Sequence, residues 1–397
     1  MATASPDPLT TEFVGRRWPL LWLALRTGGL TVLTFGLYRF WMKTRLRRWY
    51  WSAIRPGGHP LEYVGDPFEK LLGFLIAVVF LAFYIGIVNL VLMFASFALF
   101  HGNVAAYALS FVGVMPLWFY ARYRARRYVL ARTRWRGLRF GLEPGAWGYA
   151  GRAMMHWLLT VFSLGLLLPR MTFALEKYRT DRTFFGTERF EQGGRWTMLY
   201  RAMRPLFVAA ILLLVSITVF MTTNDPLPTI LLGGLGGLLF VYGIVHYRVE
   251  SLRLLTQEKR LSGVRLSLVA SPMRVFWIMS IGYVLAVLSI LLPGGILGYL
   301  VIALQFANEA PQASGIGLLR SLPHWVLITL SAMLYFSVFL IWSAVTHVFI
   351  TLPTLRHYAQ RLQVLHPQAL SGIHQRPRDA AEQAEGFAEA LDVGASL

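Results

Sequence analysis

Long apolar runs separated by short, strongly basic stretches dominate the pattern of this chain. Six runs approach or exceed the length of about 20 residues that crosses a hydrocarbon layer as a helix: Leu71–Phe100, Val104–Tyr120, Pro205–Thr222, Leu227–Val245, Val275–Leu304 and Trp325–Phe349. The gaps at His101–Asn103 and Thr223–Pro226 are short enough to predict antiparallel helical hairpins, and the last two runs make a third. Pro293-Gly294-Gly295 predicts a kink or break in the fifth run. Two further runs, Trp18–Trp41 and Ala153–Pro169, are ambiguous between spanning and re-entering, and Arg26-Thr27-Gly28-Gly29 supplies a polar, flexible break in the first.

The polar stretches carry their own pattern. Alternating residues around Gly57-Gly58 (Trp51 to Tyr63) and around Gly186 (Arg182 to Phe190) predict small cytoplasmic β-hairpins. Larger units also recur. Phe13-Val14-Gly15-Arg16 aligns with Tyr149-Ala150-Gly151-Arg152, and Thr34-Phe35-Gly36-Leu37 with Ser163-Leu164-Gly165-Leu166; Gly65 and Gly193 follow at matching distances. The expected fold class is therefore an all-α polytopic membrane protein with six full spans, two re-entrant or interfacial helical hairpins and a parallel internal repeat. Its parts are a cytoplasmic N-terminus (1–17), a first repeat (18–148), a second of the same design (149–273), a third two-span hairpin (274–350) and a cytoplasmic tail (351–397).

Charge turns this pattern into a topology. If both ambiguous runs enter and leave on one side, the outer loops hold one basic residue of 38, Arg320, and both termini are cytoplasmic. That asymmetry is what membrane insertion leaves behind. Composition agrees, since 56% of residues are apolar and 14% charged, against about half and a quarter in soluble domains. The net charge of +19 would suggest nucleic acid in a soluble chain. Beside membrane spans it predicts anionic lipid headgroups as partners and no nucleic acid. Asp379, Glu382, Glu385, Glu389 and Asp392 make the tail end acidic. Arg16-Arg17 precedes an apolar run, but no small-residue cleavage site follows, so no cleaved signal is expected. The absence of cysteine excludes disulfides and thiolate metal sites.

Residue types that carry chemistry are sparse. There is no HExxH pair, and the nine histidines form no spaced cluster with carboxylates. Gly233-Gly234-Leu235-Gly236-Gly237 lacks the Lys-Ser/Thr of a phosphate loop; Gly233 with Gly237, and Gly294 with Gly298, have the spacing that lets helices approach. No acidic residue falls within the six runs, whereas pumps relay charge through such groups. Candidate solute or lipid contacts are Arg26, Asn89, His156 and Gln305 within the apolar runs, and Arg39, Arg127 and Arg182 beside them. For Asn89 and Gln305 the plainer reading is an interhelical hydrogen bond; Arg26 is either functional or a snorkelling side chain. No catalytic residue, metal ligand or cofactor is expected, and the chain does not read as an enzyme.

The run Thr34–Trp41, with Arg47-Arg48-Trp49-Tyr50 and Leu61–Gly65, resembles the YjgN family; Arg127-Tyr128, Thr133, Ser163-Leu164-Gly165, Pro169, Tyr178 and Phe185-Gly186 match it in the second copy. Pro169-Arg170 departs from the Pro-Trp of that pattern. The resemblance implies a bacterial inner-membrane protein without an assigned activity, with a membrane-associated zinc metallopeptidase as a pointer to a partner. Two functions compete. One is passive transport or a channel for an anionic or lipid-like solute; the other is a non-transporting scaffold or regulator of a membrane partner such as a protease.

Overall fold

The computed structural model describes residues 8–100, 103–223, 226–306 and 323–377. The chain forms two compact units. The first comprises Met1–Val14, Tyr50–Phe276 and His357–Leu397; the second comprises Gly15–Trp49 and Trp277–Arg356.

The first unit is organised by a sheet that an all-α reading has no place for. Ten short strands, β1 (Leu9–Phe13), β2 (Ile54–Pro56), β3 (Leu61–Tyr63), β4 (Thr133–Trp135), β5 (Leu138–Leu142), β6 (Thr183–Phe185), β7 (Glu188–Gln192), β8 (Lys259–Leu261), β9 (Val264–Leu268) and β10 (Leu362–Leu365), pair antiparallel in the order β2-β1-β10-β9-β8-β7-β6-β5-β4-β3. The two ends of that order, β2 and β3, follow each other in the chain across Gly57–Pro60, so the sheet is nearly a closed barrel. Turn chemistry sets the registers. Arg136-Gly137 and Ser262-Gly263 both take positive φ, the type I′ geometry that matches strand twist, and place Trp135 opposite Leu138 and Leu261 opposite Val264. Gly186 turns β6 into β7 where the sequence predicts it.

Inside the curl, Trp135, Phe185, Leu261, Val264 and Val364 form an apolar core with Leu370 and Ile373, which follow β10. Those last two belong to a segment that crosses the turn end: Thr187 N donates to His374 O (2.9 Å), and Arg139 N to Gln375 Oε1 (3.0 Å). Burial of these side chains supplies the driving force that such short strands lack by themselves.

Helical pairs link the strands. They are α1 (Arg17–Leu33) with α2 (Arg39–Ala53), α3 (Pro67–Phe100) with α4 (Asn103–Ala131), α5 (Ala146–Phe162) with α6 (Leu168–Thr180), α7 (Tyr200–Thr223) with α8 (Pro226–Gln257), and α9 (Pro272–Phe306) with α10 (His324–Thr346). A π-helical turn (His347–Thr351) and α11 (Leu352–Gln360) continue α10. Each pair is preceded and followed by strands that bond to one another, β1 with β2, β3 with β4, β5 with β6, β7 with β8 and β9 with β10. Among the described residues the chain is thus a fivefold succession of strand, helical pair and strand, the last pair extended by the π-helical turn and α11. In the first unit, antiparallel pairing brings the α3–α4, α5–α6 and α7–α8 pairs to one end of the sheet and the β-turns to the other.

Among the described residues, four helical stretches are long and apolar enough to cross a membrane: Trp196–Thr223, Pro226–Gln257, Pro272–Leu300 and Trp325–Gln360. At most 17% of the residues in their apolar windows are buried, so a protein core does not account for their hydrophobicity. The six-span, all-α reading is corrected on both counts. The sheet makes the fold mixed, and α3 and α4 are not among the four. In α3 the apolar stretch found among the described residues is Ala82–Ala95. The apolar part of α4 is followed at once by Arg122, Arg124, Arg126 and Arg127.

Other local expectations change too. Pro293 does not break α9, which runs continuously past Gly294 and Gly295. The Arg26–Gly29 stretch is helical: Thr27 donates to Leu23 O (2.7 Å) and Gly28 packs against Leu340. Between α7 and α8 the glycines in close contact are Gly233, against Ser216, Gly236, against Leu213, and Gly243, against Leu206, while Gly237, Gly294 and Gly298 face open space.

The two ambiguous runs adopt one local conformation. Each enters through a 17-residue helix and reverses in a turn with two consecutive left-handed residues, Phe35-Gly36 (φ 49° and 90°) and Leu164-Gly165 (φ 50° and 88°). Thr34 Oγ1 accepts from Tyr38 N and Ser163 Oγ from Leu167 N. In the first unit, Tyr200 OH donates to Leu166 O (3.1 Å), so the α5–α6 turn lies beside the first turn of α7, where the apolar part of that helix begins. Its apolar tip is bare, with Leu164 94% and Phe162 83% exposed.

Candidate functional site

The basic stretches expected to face lipid headgroups converge, within the first unit, on one carboxylate. Glu176 sits one turn before the end of α6 and is buried. Its Oε2 accepts from Arg179 Nη2 (2.6 Å), its Oε1 from Lys259 Nζ (2.6 Å), and Thr180 Oγ1 approaches Oε1 at 3.5 Å. Lys259 comes from β8, so this knot ties α6 to the sheet.

More cations stand around it than it can neutralise. Arg126 on α4 and Arg179 both sit in the field of Glu176; Arg122, one turn earlier on the same face of α4, feels Arg179 and Glu176 as well as Arg248 of α8. At 1.5 Å per helical residue, Arg122 and Arg248 stand about 13 Å above the helix ends, and Arg126 and Glu176 about 6–8 Å. The first two are exposed and the next two deeper, which gives a basic path leading inward. Arg126 Nε and Arg179 Nε are buried without a hydrogen-bond partner. Arg126 makes no ion pair within 4 Å among the described residues, whereas Arg179 has spent one nitrogen on Glu176. Tyr149 of α5 forms one wall, its ring 5.8 Å from Arg179 Cζ, and is almost fully buried.

Electrostatics follows from this crowding. Burial alone would raise the Glu176 carboxyl, but Lys259, Arg179 and Arg126 outweigh it and hold Glu176 well below the usual carboxylate range. Burial would depress the Arg179 guanidinium, and Glu176 reverses this. For Arg126, burial wins and its pKa is lowered, because Glu176 is shared and Arg179 repels.

The residues singled out from sequence are scattered relative to this cluster. Arg127 and Arg182 do come together around Tyr123 and Tyr178. Arg127 Nε donates to Leu142 O (3.1 Å), the Arg182 guanidinium lies 3.7 Å from the Tyr178 ring centroid, and Tyr123 OH and Tyr178 OH donate to Glu143 O and Gly145 O. They pin the β5–α5 junction. His156 is buried on the Tyr149 face of α5, two turns on, with Nδ1 2.8 Å from Arg152 O. Arg26 is exposed on α1, opposite buried Thr27 and Gly28, and is not placed within a cavity. Arg39 opens α2 in the second unit. Asn89 Oδ1 has no hydrogen-bond partner among the described residues, and the Gln305 side chain lies outside them. Of the repeat positions, Gly36 and Gly165 hold the left-handed turns. The Gly15 carbonyl accepts from Arg356, Gly193 N donates to Glu258 O, Gly65 packs against Tyr63, and Gly151 faces open space.

Sequence reasoning missed Glu176, Arg126, Arg179 and Lys259. Arg122 and Arg126 at i and i+4 were the available signal, and an arginine-rich helix end gives the same signal when it merely faces lipid headgroups.

The chain belongs to the DUF898 family of bacterial proteins of unknown function, whose model matches residues 8–387. It is thus a bacterial protein with four candidate membrane-spanning helices. No curated protein and no solved structure matches it.

Proposed function

We propose that this protein is a passive carrier of an anionic, lipid-like solute in the bacterial inner membrane, with the sheet and both chain ends in the cytoplasm. The carrying observation is the excess of buried cations around the single carboxylate Glu176, at the base of helices whose apolar faces are exposed. The sidedness rests on the basic stretches, which flank the strands. The tip of α5–α6, level with the start of α7, then sits in the interface with Phe162 and Leu164 among acyl chains. The filled barrel argues for carriage along the helices over an aqueous pore through the sheet, since Trp135, Phe185 and Leu261 occupy its interior. Within the family, Thr34–Trp41 is the stretch that suggests the narrower YjgN group.

The test is flux of a fluorescent anionic lipid across proteoliposomes, comparing the native protein with Arg126→Gln. Flux that falls with the variant supports carriage, and none with the native protein removes it. A second reading, a scaffold or regulator of a membrane partner such as a protease, draws on the same filled barrel. It fails if crosslinking in native membranes recovers self-contacts alone.

A further inference from the structure

We infer that the cluster of Arg126, Arg179 and Tyr149 is a phosphate site, taking an anionic phosphomonoester or phosphodiester group that enters past Arg122 and Arg248. The inference deepens the carrier reading by naming the ligand chemistry, but it concerns binding alone and stands or falls separately from flux.

Four observations carry it. First, both oxygens of Glu176 are already engaged, one by Arg179 and one by Lys259, so Glu176 has little capacity left for Arg126. Second, two buried guanidinium N–H groups, Arg126 Nε and Arg179 Nε, lack an acceptor. An unsatisfied buried donor is expensive, and more so when charged. Third, the cations are graded from exposed Arg122 and Arg248 to half-buried Arg126 and Arg179, which suits an anion that sheds water as it enters. Fourth, among the described residues of the first unit the other buried guanidinium nitrogens without a partner are Arg134 Nε, on β4, and Arg253 Nε, whose side chain is paired with Glu250. Arg132 is paired with Glu69 and Arg189 with Glu143, while Arg127 and Arg182 hold backbone carbonyls.

Phosphate fits better than carboxylate. Two guanidiniums on separate helices, with Arg122 above, present more N–H groups than two coplanar oxygens can meet. A tetrahedral group with three or four oxygens bridges them, and Arg forks favour that geometry. Glu176 has a positioning role here, fixing Arg179 and Lys259 while its own charge keeps the anion on the Arg126 side. The surroundings also suit a headgroup on a lipid. Trp118 lies one turn above Arg122, whose guanidinium is 5.3 Å from its ring centroid, and α4 is apolar beyond it.

The experiment uses the full chain purified in a mild non-ionic detergent. Thermal unfolding is followed with added inorganic phosphate, and separately after transfer into nanodiscs of phosphatidylcholine alone or with phosphatidylglycerol. Retained lipid is identified by native mass spectrometry. The native protein is expected to be stabilised by at least one net-anionic phosphate source over phosphatidylcholine, whose own phosphodiester is neutralised by its choline. Arg126→Gln is expected to weaken that binding about ten- to a hundred-fold, the usual loss of a charged hydrogen bond, without lowering unliganded stability. Arg126→Lys should recover part of it, and Arg122→Gln should weaken it less. Exposed Arg265→Gln, at a β-turn, should leave it unchanged. Stabilisation by inorganic phosphate alone identifies a soluble ligand, and by phosphatidylglycerol alone a lipid headgroup; either supports the site. Equal binding by native protein and Arg126→Gln, or no binding from either source, overturns it. If Arg126→Gln does not fold, the comparison of Arg122→Gln with Arg265→Gln decides, and equal affinities overturn the site.

Discussion

Neutralising Glu176 while keeping its shape, as Glu176→Gln does, should unfold this protein at a visibly lower temperature. The native carboxylate makes two ion pairs, each 2.6 Å long, and its side chain and both partners are 11–17% exposed, so solvent screening is weak. The glutamine can keep one acceptor but not the charge, and it leaves Lys259, Arg179 and Arg126 facing one another. Breaking a buried pair by removing one partner costs about 3–5 kcal/mol. With entropy scaled to this chain length, each kcal/mol moves Tm by about 1–2 °C, so the fall should be roughly 4–8 °C. The pH dependence gives a second readout. Glu176 titrates lower in the folded state than in the unfolded one, so its stabilisation is complete above the ordinary glutamate value of about 4.3 and is lost as pH falls toward the depressed folded value. Glu176→Gln should therefore lose part of the acid limb of the stability profile. Differential scanning fluorimetry in detergent between pH 3 and 8 measures both. A Tm within 1 °C of native, with the same acid limb, would refute the claim that this knot ties α6 to β8.

Further predictions rest on separate parts of the fold. Gly165→Ala has open space for its methyl but must hold φ near +88°, and should lose about 1–2 kcal/mol in thermal unfolding. Gly243→Val places a Cβ 2.8 Å from Leu206 Cδ2 and should destabilise the α7–α8 pair by about 1–3 kcal/mol, read as lower Tm and yield in membranes. Trp135→Ala empties the centre of the barrel and should cost about 3–5 kcal/mol; an unchanged Tm would mean that the sheet is not held by its interior. Single cysteines at Arg265 and Thr222 should label from the cytoplasmic and periplasmic sides respectively, and labelling from one side alone would remove the orientation of α7 and α8 proposed above.

The turn at Gly186 was legible because its cause is local. The sequence also aligned Thr34-Phe35-Gly36 with Ser163-Leu164-Gly165 but placed the break of the first run at Arg26–Gly29, whereas the reversal falls at the aligned glycines, with matching hydrogen bonds to the Thr34 and Ser163 side chains. The four long apolar helices were within reach of hydropathy alone. The candidate site was not. Arg26 looked exceptional because it interrupts an apolar run, yet it is exposed, whereas Arg126 looked like one of many arginines at a helix end and has a buried Nε without a hydrogen-bond partner.

Composition and periodicity thus determined the class of environment, the long helices and several turns, since each depends on a few neighbouring residues and on how apolar they are. The ten-stranded sheet and the Glu176 cluster belong to the tertiary structure. Strands of three to five residues are too short to establish a period of two, and their stability comes from partners far along the chain, such as Leu9 with Val364. A charge becomes a site only when folding sets its distance to other charges and removes the water between them. Arg126, Arg179, Glu176 and Lys259 come from three separate stretches, and only packing brings them within reach of one another.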